Sequence, residues 1–417
     1  MLKIYRARHV FPVTADPLID GGLAVEDGRI VAVGPSAGLL ARYPAARLVD
    51  LGESALLPAA VNAHTHLELT GLDGAIPEEL PFAEWIVALV RARRQYGFDD
   101  FTRFAEDGIA SLRAAGTAAV GEICTYGASA LPLVESGLRG VLYYEVLGVD
   151  PEAGPALLES AKQQIQRWQR EYAGTRVSFG LSLHATYTVS ARLFSLASEW
   201  CAGEGIPLCI HAAESPAESE WLLDHTGPLR DVLYAAAGWP VDGEATPGCT
   251  PVTHLERLGA LAASPLLAHG VHVGPNELRV LRDAGAAVAH CPRSNARLQC
   301  GRLPLGAYRA AGVPLSLGTD SLASSPSLSV WDEVVAAQEL HATAGETPDA
   351  HELLRLATLN GALALGVDAH LGSLEPGKDA EMAFASLGPL DERARADSTG
   401  VLQAWADGSI RPTALRA

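Results

Sequence analysis

LLPAAVNAHTH, residues 56–66, is a short apolar run that ends in His64 and His66. Runs of this length bounded by Gly and Pro are the mark of strands buried on both faces, as in a parallel sheet. In a strand, residues i and i+2 project to the same side, so His64 and His66 offer two imidazoles to one ion. Three further runs end in the same manner: IPLCIHAAE (206–214) carries His211, SPLLAHG (264–270) carries His269, and VPLSLGTDS (313–321) carries Asp320. A single histidine is more often a hydrogen-bonded core or surface residue than a ligand. Of the 13 histidines, His9, His225, His254, His341, His351 and His370 have no such setting and are assigned nothing. The joint pattern, not any one residue, reads as a metal site.

Working outward, buried runs near 56–63, 117–125, 141–149, 177–185, 207–214, 265–270, 286–291 and 314–320 make eight strands. Between most of them lie amphipathic stretches such as FAEWIVALVRARRQ (82–95), FTRFAEDGIASLRAAG (101–116), ALLESAKQQIQRWQREY (156–172) and PNELRVLRDAG (275–285). They end at Gly or a polar turn, as helices do. Strands alternating with helices over this length predict a (β/α)8 TIM-type barrel, whose active site lies at the C-terminal ends of the strands, where all five candidate residues fall.

The chain has 417 residues and 48% hydrophobic content, more than the ~250 residues a bare barrel needs. The surplus sits at the two ends. LKIYRARHVF (2–11), GGLAVEDGRIVAVGP (21–35) and ARLVDLG (46–52) read as antiparallel strands with Gly-rich turns, and LGSLEPGKDAEMAFASL (371–387) is a matching stretch in the tail. The expected organisation is a small β-sandwich domain built from both termini, 1–57 and 366–417, beside a hydrolase barrel over 58–365.

A net charge of −18 argues against nucleic acid or an anionic membrane as the main partner. No signal peptide and no apolar run long enough to span a bilayer is evident, so a cytoplasmic location is expected. The six cysteines lack Cys-X-X-Cys spacing, and Cys209 and Cys291 fall in predicted buried strands, which favours reduced core thiols.

NAHTHLELT (62–70), HAAE (211–214), AHGVHV (268–273), HCPRSNARL (290–298), GTDSLASSPSLSVWDE (318–333), ATLNGALALG (357–366) and GSLEPGKDAEM (372–382) occur in that order. Together they resemble the amidohydrolase superfamily, in its branch of mononuclear deaminases and chlorohydrolases of purines, pyrimidines and triazines. Binuclear members bridge two ions with a carboxylated lysine at the end of the fourth barrel strand. Here that strand reads VSFGLSLHATYT (177–188) and ends in His184, and Lys3, Lys162 and Lys378 lie elsewhere. The resemblance therefore implies one divalent ion, held by His64, His66, His211 and Asp320 with an open position for water. Imidazole and carboxylate donors suit Zn²⁺, the first expectation, or Fe²⁺.

The chemistry the resemblance implies is hydrolytic. The ion lowers the pKa of its water to about 7. Asp320, ligand and base, takes the proton; Glu214 protonates the ring nitrogen and passes a proton to the departing ammonia; His269 polarises the attacking oxygen. As an alternative, Glu214 reads as a helix-start carboxylate favoured by the dipole. His272 and His290 read as loop support.

Within the superfamily the nearest resemblance is to enzymes that deaminate the adenine of modified nucleosides. These are the aminodeoxyfutalosine deaminases of menaquinone biosynthesis, which convert 6-amino-6-deoxyfutalosine to futalosine and ammonia, and the S-adenosylhomocysteine or methylthioadenosine deaminases. His184 matches a base-contacting histidine and Trp85 a tryptophan in the loop after the first barrel strand. Nine residues further, where the adenosylhomocysteine type has a ribose-binding glutamate, stands Arg94, after Arg91 and Arg93. An arginine cannot accept a hydrogen bond from ribose but pairs with a carboxylate such as the benzoate of aminodeoxyfutalosine. The same run also reads as a solvated helix face, and Arg293 and Arg297 compete for the role. A chlorotriazine-type chlorohydrolase would use nearly the same constellation. The expected partner is a small nucleoside-type substrate, with a homodimer left open.

Overall fold

The computed structural model describes residues 1–77, 79–241 and 245–415. Its strands are β1 (Lys3–Val10), β2 (Leu18–Glu26), β3 (Arg29–Pro35), β4 (Arg47–Asp50), β5 (Ser54–Pro58), β6 (Ala60–Thr65), β7 (Thr117–Cys124), β8 (Arg139–Val146), β9 (Val177–Ala185), β10 (Leu208–Ala212), β11 (Leu266–His269), β12 (Ala287–His290), β13 (Leu315–Leu317), β14 (Met382–Ser386) and β15 (Thr413–Leu415). They form one sheet of eight strands, β6 to β13 in sequence order, and one of seven, β15-β14-β5-β1-β2-β3 with β4 on β1.

The chain divides into two compact units. One comprises 1–63, 110–120 and 329–417, and the other 64–109 and 121–328. In the first unit the seven-stranded sheet is drawn from both ends of the chain. β14 pairs antiparallel with β5, Ala383 opposite Leu57, and β15 adds to the outside of β14. Apolar side chains cover both of its faces, Tyr5, Leu23, Val25 and Leu56 in one cluster and Ile4, Ala24 and Ala32 in another. That is the alternation a period-two pattern gives.

The eight-stranded sheet is parallel wherever its pairs are resolved, as between β8 and β9, β9 and β10, and β12 and β13. Its first and last strands meet: Thr65 bridges Asp320, and the N–H groups of Thr319 and Asp320 both donate to the His64 carbonyl at 3.1 Å. This closure makes a TIM-type barrel. Two predicted runs differ in detail. The run expected over 56–63 is split, because Pro58 ends β5 and β6 begins at Ala60; proline has no N–H to continue a ladder. The run expected over 314–320 holds only three ladder residues before the backbone turns at Asp320, whose φ is 58°.

The four expected helices form with ends shifted by up to three residues, as Phe82–Arg93, Phe98–Ala114, Gly154–Glu171 and Pro275–Asp283. Ser190 caps the helix Ala191–Glu204 by accepting from the Leu193 N–H, and Gly205, with φ 64°, ends it. Among the described residues no helix is long and apolar enough to cross a membrane. All six cysteines are buried, and none is in a disulfide.

Candidate active site

The candidate residues sit at the C-terminal ends of β6, β10 and β11 and just past β13. His64 is the fifth residue of β6, and His66 follows the strand directly. A register irregularity between Ile210 and His211, where β10 leaves its regular pairing with β9, sets the direction of His211. Ala213, His269 and Asp320 all have positive φ, 53°, 75° and 58°. Left-handed backbone at a residue other than glycine costs of order 1–3 kcal/mol, and such strain clusters at functional sites.

The four histidine rings of this group gather closely. His64 lies 5.0 Å from His66, 4.9 Å from His211 and 5.6 Å from His269, centroid to centroid. The Nε2 atoms of His66 and His211 are 3.2 Å apart. Asp320 Oδ1 lies 3.5 Å from His66 Nε2 and 3.7 Å from His64 Nε2. Both ring nitrogens of His64 are buried without a hydrogen-bond partner among the described residues. A buried polar atom without a partner is costly, and a cation bound at Nε2 would offset that cost.

The partners behind the ring orient it. His211 Nδ1–H donates to the His184 carbonyl at 2.7 Å, which leaves its Nε2 lone pair facing the cluster. His269 Nδ1 pairs with Asn295 Oδ1 at 2.9 Å in the same way, so its Nε2 faces inward as an acceptor. The second oxygen of Asp320 accepts from the hydroxyls of Ser294 and Ser324, both at 2.7 Å. Burial opposes ionisation of Asp320, but the surrounding His66, His269 and His64 and the Ser294 hydroxyl outweigh it and hold the carboxyl well below the usual range. Burial pushes His66 down to about 4, so it is a neutral imidazole at physiological pH. The geometry and chemistry of this donor set fit one divalent ion.

Glu214 carries a carboxyl that burial, aided by Asp320 and opposed by His211, pushes up to about 8. Its Oε1 is 3.5 Å from His269 Nε2. The helix-start alternative for this residue is weakened by its neighbours. Ser215 caps the helix Pro216–Asp224 by accepting from the Glu218 N–H, and Glu218 Oε2 accepts from the Glu214 N–H at 2.9 Å. With those capping bonds made by Ser215 and Glu218, the Glu214 side chain is left to the cavity.

A cavity of about 110 Å³ lies over the cluster; His66, Trp85, His184, Tyr187, His211, Glu214, His269 and Asp320 all contribute to its wall. His184 Nδ1 pairs with Thr188 Oγ1 at 2.7 Å, leaving Nε2 for the cavity. The buried indole N–H of Trp85 has no hydrogen-bond partner among the described residues. A larger hollow of about 530 Å³, flanked by Trp221 and Tyr234, contains none of the candidate residues.

The arginine is placed differently from the sequence reading. Trp85, Ile86, Leu89, Val90 and Arg93 share the face of the helix Phe82–Arg93 that lines the cavity. Arg94, one residue or ~100° further round, is exposed and lines a separate depression with Arg91 and Trp239. Arg293 is committed to Ser327, donating to its hydroxyl at 2.9 Å and its carbonyl at 2.8 Å. His272 Nε2 meets the Cys300 carbonyl at 2.6 Å, a loop contact.

Three buried carboxylates behind the site were not singled out from sequence. Glu122 accepts from the N–H of Leu67, beside His66, through both oxygens at 3.1 and 2.9 Å. Glu68 collects the N–H groups of Thr125, Tyr126, Ala128 and Ser129 at 2.9, 2.8, 2.7 and 3.2 Å. Glu145 accepts from Thr125 Oγ1 at 2.7 Å, has no hydrogen-bond partner for its other oxygen among the described residues, and shares a corner with His184 and His211. Burial resists its ionisation, yet His184, His66 and His211 hold it down to about 2. In sequence these glutamates lie beside or within apolar runs, Glu122 and Glu145 just before a strand end and Glu68 just past one, and no common spacing flags them.

Residues 55–410 match the Amidohydrolase family. The chain belongs to that family. A further match, over residues 21–46, is to the bacterial imidazolonepropionase-like composite domain. This amidohydrolase is a hydrolase acting on carbon–nitrogen bonds. It is 39% identical over 330 residues, 77% of its length and 76% of the relative's, to aminodeoxyfutalosine deaminase of Deinococcus radiodurans. It is 31% identical over 385 residues, 91% of its length and 84% of the relative's, to 5-methylthioadenosine/S-adenosylhomocysteine deaminase of Moorella thermoacetica. Among solved structures, the amidohydrolase is similar to an adenosine deaminase from Xanthomonas campestris with bound zinc, with a TM-score of 0.78, 27% identity, and coverage of 96% of this chain and 88% of that one.

Proposed function

We propose that this amidohydrolase deaminates the adenine of a modified nucleoside, 6-amino-6-deoxyfutalosine first, releasing futalosine and ammonia in menaquinone biosynthesis. The observation that carries the reading is Glu214. It is a buried carboxyl pushed up to about 8, within 3.5 Å of His269, at the edge of a donor cluster suited to one divalent ion. The relative from Deinococcus radiodurans supports the choice of substrate.

In this account His64, His66, His211 and Asp320 hold the ion, and the bound zinc of the Xanthomonas neighbour supports Zn²⁺. When bound, the ion supplies Lewis acidity and a water that ionises near neutral pH. Asp320, whose Oδ2 is fixed by Ser294 and Ser324, takes the proton of the attacking water through Oδ1. His269 accepts a hydrogen bond from that water through Nε2, the tautomer its bond to Asn295 sets. Glu214, protonated at neutral pH, gives its proton to the ring nitrogen beside the reacting carbon. As the C–N bond breaks, the proton from Asp320 passes to the amine, which leaves as ammonia, and the hydroxyl proton returns to Glu214, so that the carbon keeps the water oxygen as a carbonyl. Trp85 and His184 meet the base with the indole N–H and Nε2.

The relative from Moorella thermoacetica favours a second reading, deamination of S-adenosylhomocysteine or methylthioadenosine by the same residues. A chlorotriazine-type chlorohydrolase would release chloride instead. Ammonia and chloride release, measured across adenine nucleosides and chlorotriazines, separates the reactions. Ammonia from a nucleoside supports the proposal, and chloride release alone refutes it.

A further inference from the structure

We propose that Arg93 is the specificity residue of this site, an anchor for a carboxylate carried by the substrate beyond its nucleoside. The inference rests on the deaminase reading and adds the residue that selects the substrate.

Among the described residues Arg93 is the sole arginine or lysine in the wall of the cavity over the histidine cluster. It ends the helix face that begins with Trp85, eight residues or about 12 Å away at the rise of an α-helix. A group bound there is therefore held well away from the base that Trp85 meets. The guanidinium is fixed rather than free. Its Nε–H donates to Tyr126 OH at 3.1 Å, and the group lies over the Tyr126 ring, 4.9 Å from the centroid. Phe101 stacks with the same ring at 4.2 Å and 12°. The backbone beneath Tyr126 is held in turn, because the N–H groups of Thr125 and Tyr126 both donate to Glu68 Oε2.

The arrangement leaves a particular set of donors. With Nε committed to Tyr126, the Nη1 and Nη2 edge remains, and neither nitrogen makes a hydrogen bond or ion pair among the described residues. Two parallel N–H donors in one plane match the two oxygens of a carboxylate. A guanidinium already oriented by stacking loses less freedom on binding than a mobile one. A dianionic phosphate is disfavoured, because the same cavity wall contains the carboxyls of Glu214 and Asp320 and offers a single guanidinium among the described residues. Tyr126 is a positioning residue, acting on substrate only through Arg93.

The test compares 6-amino-6-deoxyfutalosine with its methyl ester, which differs at the carboxylate alone, using adenosine and AMP as reference substrates. Ammonia release should favour the acid over the ester in kcat/KM by roughly 10- to 100-fold, the scale of a charge-assisted pair. Arg93→Gln should abolish that preference, Tyr126→Phe should reduce it, and Arg94→Gln should leave it intact. Equal slowing of acid and ester by Arg93→Gln, loss of the preference with Arg94→Gln instead, or AMP as a better substrate than the acid would overturn the assignment. If adenosine is deaminated with no discrimination between acid and ester, this inference alone fails. If none of the nucleosides yields ammonia, the deaminase reading fails and takes this inference with it.

Discussion

His66 and His211, from strands on opposite sides of the barrel mouth, point their Nε2 atoms at each other across 3.2 Å. Two zinc–nitrogen bonds of about 2.05 Å at a tetrahedral angle place their nitrogens about 3.3 Å apart. The bond from His211 Nδ1–H to the His184 carbonyl leaves an Nε2 lone pair on that edge. The separation matches the one that the proposed ligand set requires.

The metal content follows. Purified protein should contain about one divalent ion per chain by elemental analysis, the single site that mononuclear zinc chemistry needs. His66→Ala should lose ion and activity together, and two tightly held catalytic ions would contradict the ligand set.

Gly318 packs against the first of the ligands. A Cβ there would stand 2.8 Å from His64 Cβ and 3.1 Å from the His64 backbone nitrogen. Neither atom is the end of a flexible chain, so His64 must shift. Gly318→Ala should therefore cost about 1–3 kcal/mol by overpacking and weaken metal retention against a chelator. Unchanged thermal stability and unchanged metal release would show that the contact is relaxed.

Glu214→Gln keeps the shape of the side chain but has no proton to give. Metal content should stay at wild-type level while turnover falls by roughly 10²- to 10⁴-fold, the scale of a lost general acid. A rate near wild type would return Glu214 to a helix-start role.

The pH dependence of stability offers a check away from the metal. His254 is buried, and burial, reinforced by Arg257, lowers it from 6.5 to about 4. Between those values the unfolded chain binds a proton that the folded chain resists, so this histidine costs stability as pH falls from 6.5 towards 4. Thermal melts over that range should show a shallower decline for His254→Gln than for wild type. Parallel curves would mean that His254 is protonated in the folded state.

Much of this was legible in the sequence because strand and site share one signal. A buried parallel strand is a short apolar run, and its functional residue follows at the end, so the runs carrying His64, His211, His269 and Asp320 announced the barrel and its mouth together. What escaped depends on quantities a linear pattern lacks. That Arg93 and not Arg94 lines the cavity is a matter of ~100° of helical phase, set by how the helix Phe82–Arg93 seats its Trp85 face. Glu68, Glu122 and Glu145 look like isolated acids among apolar residues, and their value lies in backbone N–H groups and histidines that only the fold brings near. The break at Pro58 was visible as a residue, but its consequence, the handing of 54–58 to the other sheet, required knowing that β14 would pair there.

The most direct test of the central claim is ammonia release by the zinc-loaded enzyme from 6-amino-6-deoxyfutalosine and from S-adenosylhomocysteine under the same conditions. The account predicts that kcat/KM for 6-amino-6-deoxyfutalosine exceeds that for S-adenosylhomocysteine, with futalosine as the product. Faster deamination of S-adenosylhomocysteine would overturn the substrate, and no ammonia from either would contradict the account itself.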